Sequence, residues 1–285
     1  MKIAKSIVEL KDHYNRMKLK PSGFVPTMGA LHEGHLSLVS AARKECGIIT
    51  VSIFVNPTQF NDKDDLKNYP RTIDEDLGLL SDHLSENDIV FVPSVEEIYP
   101  EPDKRVFNFG NLDKVMEGAQ RPGHFNGVAQ VVSRLFDIVK PDNAYFGQKD
   151  FQQLTIVREL VRQTGNKVKI ISCPIVREDD GLAMSSRNQL LEPSIRKNAG
   201  AIFTTISKSS ELLKTMEIEN VKKYVFNNIN LLPEFNVEYF EITDNIELNL
   251  VKRKSQMKKG NKYFACIAVK AGKIRLIDNV EIQLL

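Results

Sequence analysis

Two histidines, His32 and His35, stand three residues apart across Gly34 in the run Met28-Gly29-Ala30-Leu31-His32-Glu33-Gly34-His35. About one domain further on, Met184-Ser185-Ser186-Arg187 places two hydroxyls and a guanidinium on a loop that follows Gly181. Residues i and i+3 share a helix face, and an imidazole donates a hydrogen bond to a phosphate oxygen whether neutral or protonated. Two such donors suit a triphosphate whose α-phosphorus gains charge as it is attacked. The first amides of a helix and its dipole add an anion site, and Gly34 would let a ligand approach the backbone closely. Arg187 with the two serines suits a leaving pyrophosphate, because the guanidinium fork matches phosphate oxygens. The chemistry these groups imply is the gripping of ATP and the transfer of its nucleotidyl group. The plain reading of either histidine alone is a polar helix turn facing water; the pair with Gly34, just past a strand, favours the site. His-Glu-Gly-His is one residue short of His-Glu-x-x-His and no third ligand stands near, which argues against zinc.

The apolar pattern shows the elements that would place these groups. Residues 22–26 read as a short buried strand ending in a turn, and Leu36, Leu38, Val39 and Ala42 fall at helical spacing until Gly47. The β-branched and aromatic run 48–55 predicts a central parallel strand. A helix is expected over 71–84, a strand over 88–92, and a helix from the single face made by Phe125, Val128, Val132, Leu135, Phe136 and Val139. A strand at 144–146, a helix through Phe151, Leu154, Val157 and Val161, and a strand over 168–176 complete the series. Such alternation predicts an α/β, doubly wound parallel sheet. Beyond it, 194–213 and 220–229 read as two helices, 236–242 alternates with period two, and 263–269 and 273–277 flank the hairpin signal Ala271-Gly272. We therefore expect a first domain over 1–176 and a smaller C-terminal α+β domain with an antiparallel sheet over 177–285, carrying the serine–arginine loop at its start. Closure of one domain on the other would bring that loop onto ATP.

Bulk composition excludes several classes. A chain of 285 residues is long enough for two domains or one large one. Its 39 basic and 37 acidic residues leave a net charge of +2, so no electrostatic case exists for a nucleic-acid or membrane partner. The basic run Lys252-Arg253-Lys254 with Lys258 and Lys259 reads as a solvated turn. Cys46, Cys173 and Cys266 lie far apart with no Cys-x-x-Cys, against a disulfide scaffold or cysteine-bound zinc. The start lacks the apolar centre of a signal peptide and no apolar run approaches a membrane span, so a cytoplasmic location is expected.

His-x-Gly-His is the signature of the class I nucleotidylyltransferase superfamily, with its Rossmann-like sheet. Further blocks are more specific: Phe54-Val55-Asn56-Pro57-Thr58-Gln59-Phe60, Arg121-Pro122-Gly123-His124-Phe125-Asn126-Gly127-Val128, Tyr145-Phe146-Gly147-Gln148-Lys149-Asp150-Phe151-Gln152-Gln153 and Met184-Ser185-Ser186-Arg187-Asn188. In content and order they resemble the pantothenate synthetase (pantoate–β-alanine ligase) family; beyond Asn188 no motif helps. The resemblance implies condensation of pantoate with β-alanine through an enzyme-bound pantoyl adenylate, with ATP cleaved to AMP and pyrophosphate, in a Mg²⁺-dependent homodimer serving coenzyme A synthesis.

Carried over residue by residue, the resemblance makes Met28, Gly29, Ala30, Leu31, His32, Glu33, Gly34 and His35 one wall of the ATP site, with His35 as catalytic proton donor and His32 assisting. It adds Gly147, Gln148, Lys149, Asp150, Val176, Met184, Ser185, Ser186 and Arg187 to the nucleotide contacts. Lys149 can reach a phosphate as a flexible point charge. Asp150 can hold Mg²⁺, directly or through water, or the ribose; a salt bridge between these two is the plain alternative. Gln59 and Gln153 match the pantoate-binding glutamines, Gln59 also meeting β-alanine. Neutral amides orient a carboxylate without withdrawing its electron density as a bidentate arginine would. Arg121, before Pro-Gly, can reach phosphate or act as a cover; Asn56, Tyr69, Arg71 and His124 stand second in rank, and 61–70 is a candidate lid or else a plain surface loop. Two departures stand out. Ala183 replaces the first lysine of the synthetase Lys-Met-Ser-Lys-Ser loop, as this family does, and Gln148 stands where glutamate is often found. The rival readings are a superfamily enzyme joining AMP or CMP to a phosphorylated substrate, a non-catalytic nucleotide-binding module, and an RNA-binding role, for which composition offers no basic face.

Overall fold

The computed structural model describes residues 1–17, 20–61 and 63–283, and all their side chains but those of Lys63 and Asp65. Among these residues β1 (Lys2–Ala4), β2 (Ser22–Thr27), β3 (Ile48–Ile53), β4 (Ile89–Phe91), β5 (Asn143–Gly147) and β6 (Lys169–Cys173) form one sheet in the order β1-β4-β3-β2-β5-β6. Every pairing in it is parallel. Both faces are covered, which is why these strands read as apolar runs without alternation. Phe24, Ile48, Ile89, Phe91, Ala144 and Phe146 join the cluster under helices Ile7–Met17, His124–Val139 and Phe151–Thr164. Val25, Ile49, Val51, Val90 and Tyr145 join the opposite cluster, under helices Glu33–Glu45 and Ile73–Ser81.

The chain steps from β2 to β3 and β4 on one side, then returns to place β5 and β6 on the other. The reversal leaves a crevice beyond the carboxyl ends of β2 and β5, the position where open parallel sheets bind ligands. The turn with both histidines follows β2, and Gln148, Lys149 and Asp150 follow β5.

The smaller sheet is antiparallel, β7 (Phe235–Asp244), β8 (Tyr263–Ala271) and β9 (Ile274–Ile282) in that order. Alternation along β8 divides its work. Tyr263, Ala265, Ile267, Val269 and Ala271 pack with Ile195, Ile202, Ile206, Val221, Val225 and Ile229. Phe264 and Cys266 face Phe151 and Met116 of the parallel-sheet unit, with the Phe151 and Phe264 rings 4.5 Å apart.

Several elements differ from expectation. The stretch 194–213 is not one helix but Pro193–Ala199, Ala201–Ser207 and Ser209–Thr215. One break falls at Gly200, where a Cβ would lie 2.5 Å from the Asp180 carbonyl oxygen, so the chain bends to meet that loop. Strand β1 and helix Ile7–Met17 were not expected. The helix signal is nevertheless present, since Ile7, Leu10, Tyr14 and Met17 repeat at helical spacing and pack on the core. The candidate lid contains helix Lys63–Asn68; its Asp62 lies outside the described residues.

Candidate active site

The histidine turn closes on itself. His32 is the N-cap of helix Glu33–Glu45, and its Nδ1 accepts the Gly34 N–H at 3.1 Å. His35 Nδ1 accepts the His32 N–H at 3.3 Å, completing a reciprocal capping box made of two imidazoles. An Nδ1 that accepts carries no proton, so each neutral ring presents Nε2–H as its free donor. The rings lie 4.1 Å apart, and both line one cavity of ≈ 220 Å³. Burial, aided by Lys149, pushes His32 down to about 4. Burial, with His32 and then Lys149 as neighbours, pushes His35 down to about 3. Near neutral pH both rings are therefore uncharged hydrogen-bond donors rather than sources of a full proton.

Gly34 has a packing reason beside the expected one. A Cβ there would fall 2.7 Å from His32 Cε1 and 2.8 Å from its Nδ1. Glycine makes room for the capping imidazole to fold over the helix start, and Gly34 itself lines the same cavity.

The same cavity gathers most of the other expected residues: Met28, Gln59, Gly147, Lys149, Asp150, Gln153, Val176, Met184, Ser185, Ser186 and Arg187. Met184 N–H bonds the Val176 carbonyl at 3.0 Å, which folds the serine–arginine loop back over the crevice. Ser185 Oγ caps the next turn by accepting the Arg187 N–H at 3.3 Å. The Arg187 guanidinium lies 5.4 Å from the centre of the Tyr69 ring. Lys149 Nζ is 3.9 Å from an Asp150 oxygen, a loose pair that leaves both groups at the cavity. A second cavity of ≈ 630 Å³ adjoins, sharing Tyr69, Lys149, Asp150, Gln153, Ser185 and Arg187 with the first.

Gln59 is buried, and its amide is oriented: Oε1 accepts from Asn56 Nδ2 at 3.2 Å and Nε2 donates to Met28 Sδ at 2.7 Å. Behind it, helix His124–Val139 comes so close that a Cβ at Gly127 would lie 2.3 Å from the Thr58 carbonyl oxygen. Asn56 Nδ2 bonds the Gly127 carbonyl at 3.2 Å. His124 Nδ1–H donates to the Gln59 carbonyl at 2.7 Å, and its Nε2 accepts from Arg121 Nη1 at 3.1 Å. Those partners fix the tautomer opposite to that of His32 and His35. Burial, with Arg121 adjacent, pushes His124 down to about 4.

Five of the expected nucleotide contacts lie elsewhere. Gly29, Ala30, Leu31, Glu33 and Gln148 do not line either cavity. Leu31 is packed in the core and Glu33 is exposed. Gln148 is held by its backbone, N–H to Cys173 and carbonyl to Asn279 Nδ2 at 2.9 Å, so the departure from glutamate leaves the cavity lining unchanged. Arg71 turns instead to the carbonyls of Leu66, Lys67 and Tyr69.

Sequence reasoning missed three partners. Asp76 binds the amides of Ala30 and Leu31, in the turn expected to form one wall of the ATP site. Asn279 of β9 donates to the Gln148 and Lys149 carbonyls at 2.9 and 3.1 Å. Glu117, below Arg121, receives Arg275 of β9 through paired bonds of 2.6 and 2.7 Å and the Tyr239 hydroxyl at 2.7 Å. Burial raises the Glu117 carboxyl, but Arg275 and Tyr239 outweigh it and hold it below the usual range. None of these pairings spans fewer than 45 residues, so no local pattern marks them.

A doubly wound parallel sheet with donors, a lysine and a serine–arginine loop converging at its switch point defines an α/β enzyme built around a nucleotide. A family model described as Pantoate-beta-alanine ligase matches residues 2–281. The chain is 54% identical over 282 residues to a pantothenate synthetase of Azobacteroides pseudotrichonymphae, covering 98% of this chain and 99% of that one. It is 50% identical over 283 residues to the pantothenate synthetase of Bacteroides thetaiotaomicron, covering 99% of each. The crystal structure of pantothenate synthetase from Thermus thermophilus superimposes with a TM-score of 0.90 at 39% identity, covering 100% of both chains. A pantoate-beta-alanine ligase from Francisella tularensis, complexed with beta-gamma ATP and beta-alanine, gives 0.80 at 36% identity over 98% of this chain and 97% of that one. The chain belongs to the pantoate–β-alanine ligase family.

Proposed function

We propose that this chain condenses pantoate with β-alanine at the crevice between β2 and β5, through a pantoyl adenylate. The observation that carries the reading is the convergence of His32, His35, Gln59, Lys149, Gln153, Ser185 and Arg187 on one cavity. The pantoate carboxylate attacks the α-phosphorus of ATP, the bond to the β-phosphate oxygen breaks, and pyrophosphate leaves with the electron pair. The Nε2–H groups of His32 and His35 donate to the α-phosphate oxygens as charge builds there. Lys149, Ser185 and Arg187 receive the pyrophosphate. Gln59 and Gln153 orient pantoate by neutral amides, which leaves its carboxylate nucleophilic. The free amine of β-alanine then attacks the acyl carbon, AMP departs with the C–O electron pair, and the amine proton passes to solvent.

Among the described residues no cluster of three or more His, Cys, Asp or Glu side chains could hold a metal alone. Asp150, half-exposed at the cavity edge, fits the habit of Mg²⁺, which takes one or two carboxylates and completes its shell with phosphate oxygens and water. Bound there, the metal would neutralise triphosphate charge. No described helix is long and apolar enough to cross a membrane. The reading extends to a cytoplasmic homodimer with a nucleotide and pantoate unit over 1–176 and a smaller unit over 177–285; sedimentation of the purified protein checks the dimer.

Incubation with ATP, Mg²⁺, D-pantoate and β-alanine tests the whole. AMP and pantothenate should appear in equal amounts, and ATP–pyrophosphate exchange should require pantoate. AMP release that ignores pantoate would overturn the assignment.

A further inference from the structure

The turn that carries both histidines is held by a side chain from another element. Asp76, in helix Ile73–Ser81, is only 1% exposed. Its Oδ2 accepts the Ala30 N–H at 3.0 Å and its Oδ1 accepts the Leu31 N–H at 2.7 Å. The Thr72 hydroxyl donates to Oδ1 at 3.3 Å. The chain between β2 and His32 follows an uncommon path, with φ of 81° at Gly29 and 49° at Ala30. Alanine rarely adopts the left-handed region. The Asp76 carboxylate packs against this path so closely that a Cβ on Gly29 would lie 3.0 Å from Oδ2. Ala30 and Leu31 immediately precede the N-cap, and the capping box joins the two rings, so a shift of the turn moves both together.

We propose that Asp76 is the positioning residue for His32 and His35: by holding the Ala30 and Leu31 amides it keeps the turn left-handed and both Nε2–H groups aimed at one point of the crevice. Asp76 itself lines neither cavity. The inference rests on the reading that those donors act on the α-phosphate. A misplacement of about 1 Å in such a site costs on the order of 10²-fold in rate.

The test compares Asp76→Asn and Thr72→Val with the unaltered protein in pantoate-dependent ATP–pyrophosphate exchange. Asp76→Asn keeps the side chain's size but turns one acceptor into a donor against an N–H. Its kcat should fall about 10- to 100-fold while KM for ATP and pantoate stays within about 3-fold. Thr72→Val removes only the hydroxyl's bond and should lower kcat by about 2- to 5-fold, again with KM kept. Replacing Ala30 by Gly in the Asp76→Asn background removes the cost of the left-handed alanine and should recover part of kcat. Imidazole ¹H–¹⁵N spectra provide a readout independent of turnover. The unaltered protein should show distinct Nε2–H tautomers for His32 and His35, and Asp76→Asn should shift or average them. Unchanged kcat and unchanged imidazole signals in Asp76→Asn overturn the proposal. If that variant does not fold, unchanged values in Thr72→Val do so. Absence of pantoate-dependent exchange in the unaltered protein overturns the functional reading instead, and the imidazole signals then decide the positioning role alone.

Discussion

His35 and His32 act as a unit because the His35 ring caps the His32 N–H while the His32 ring caps the Gly34 N–H of the same turn. His35→Ala removes one donor and one half of the capping box. Adenylate formation should slow by about 10²- to 10³-fold with little change in KM for ATP, read by pyrophosphate exchange. Gly34→Ala drives a methyl into the His32 ring and should impair the same step. Burial sets the acid side of the protein's behaviour. His32, His35 and His124 have folded values of about 4, 3 and 4, below the unfolded value of about 6.5. Between those limits the unfolded chain takes up protons that the folded chain refuses. Stability is therefore full above about 6.5 and declines as pH falls toward about 4, by about 1–2 kcal/mol per histidine at pH 5. Thermal denaturation from pH 7 to 5 checks this; a constant Tm would contradict it. Catalysis should show no acid limb from these rings over the same range.

Each element positions its functional group through a close backbone approach. The Asn-Pro-Thr-Gln-Phe and Gly-His-Phe-Asn-Gly blocks are far apart in the sequence, and the structure stacks one on the other, with Gly127 against Thr58 and His124 against the Gln59 carbonyl. Helix Phe151–Thr164 shows the limit of local reasoning. Adjacent glutamines point to different tasks. Gln152 is buried, accepts the Glu117 N–H and donates to the Leu112 and Val115 carbonyls. Gln153 lines both cavities. Gln153→Ala should raise KM for pantoate several-fold with Tm unchanged, whereas Gln152→Ala should lower stability by about 1–3 kcal/mol through buried groups left unpaired. Steady-state kinetics beside thermal melts separate the two; a stability loss only in Gln153→Ala would reverse the assignment.

The two sheets meet through a buried polar seam. Arg275 grips Glu117 and Glu238, Arg177 grips Asp278, and Asn279 holds the loop that carries Lys149. Removing one partner of a buried pair strands the other charge. Arg275→Ala should cost about 3 kcal/mol and loosen the helix that precedes Arg121. Denaturant unfolding measures the first effect, and hydrogen exchange at residues 116–124 measures the second. A variant of unaltered stability would remove the seam from any structural role.

Much of the molecule could be read from local chemistry. Apolar periodicity specified the alternating strands and helices, and short blocks of unusual residues marked the turns where ligand groups gather, because both signals act over a few residues. The tasks of single side chains depended on distant neighbours. That Gly34 makes room for His32, that Gln148 is a backbone link, and that Asp76 holds the Ala30 and Leu31 amides all follow from packing that forms only in the folded chain. Hydrogen-bond partners and burial exist only once those segments meet, so the chemical identity of a residue is legible beforehand and its protonation, orientation and partner are not.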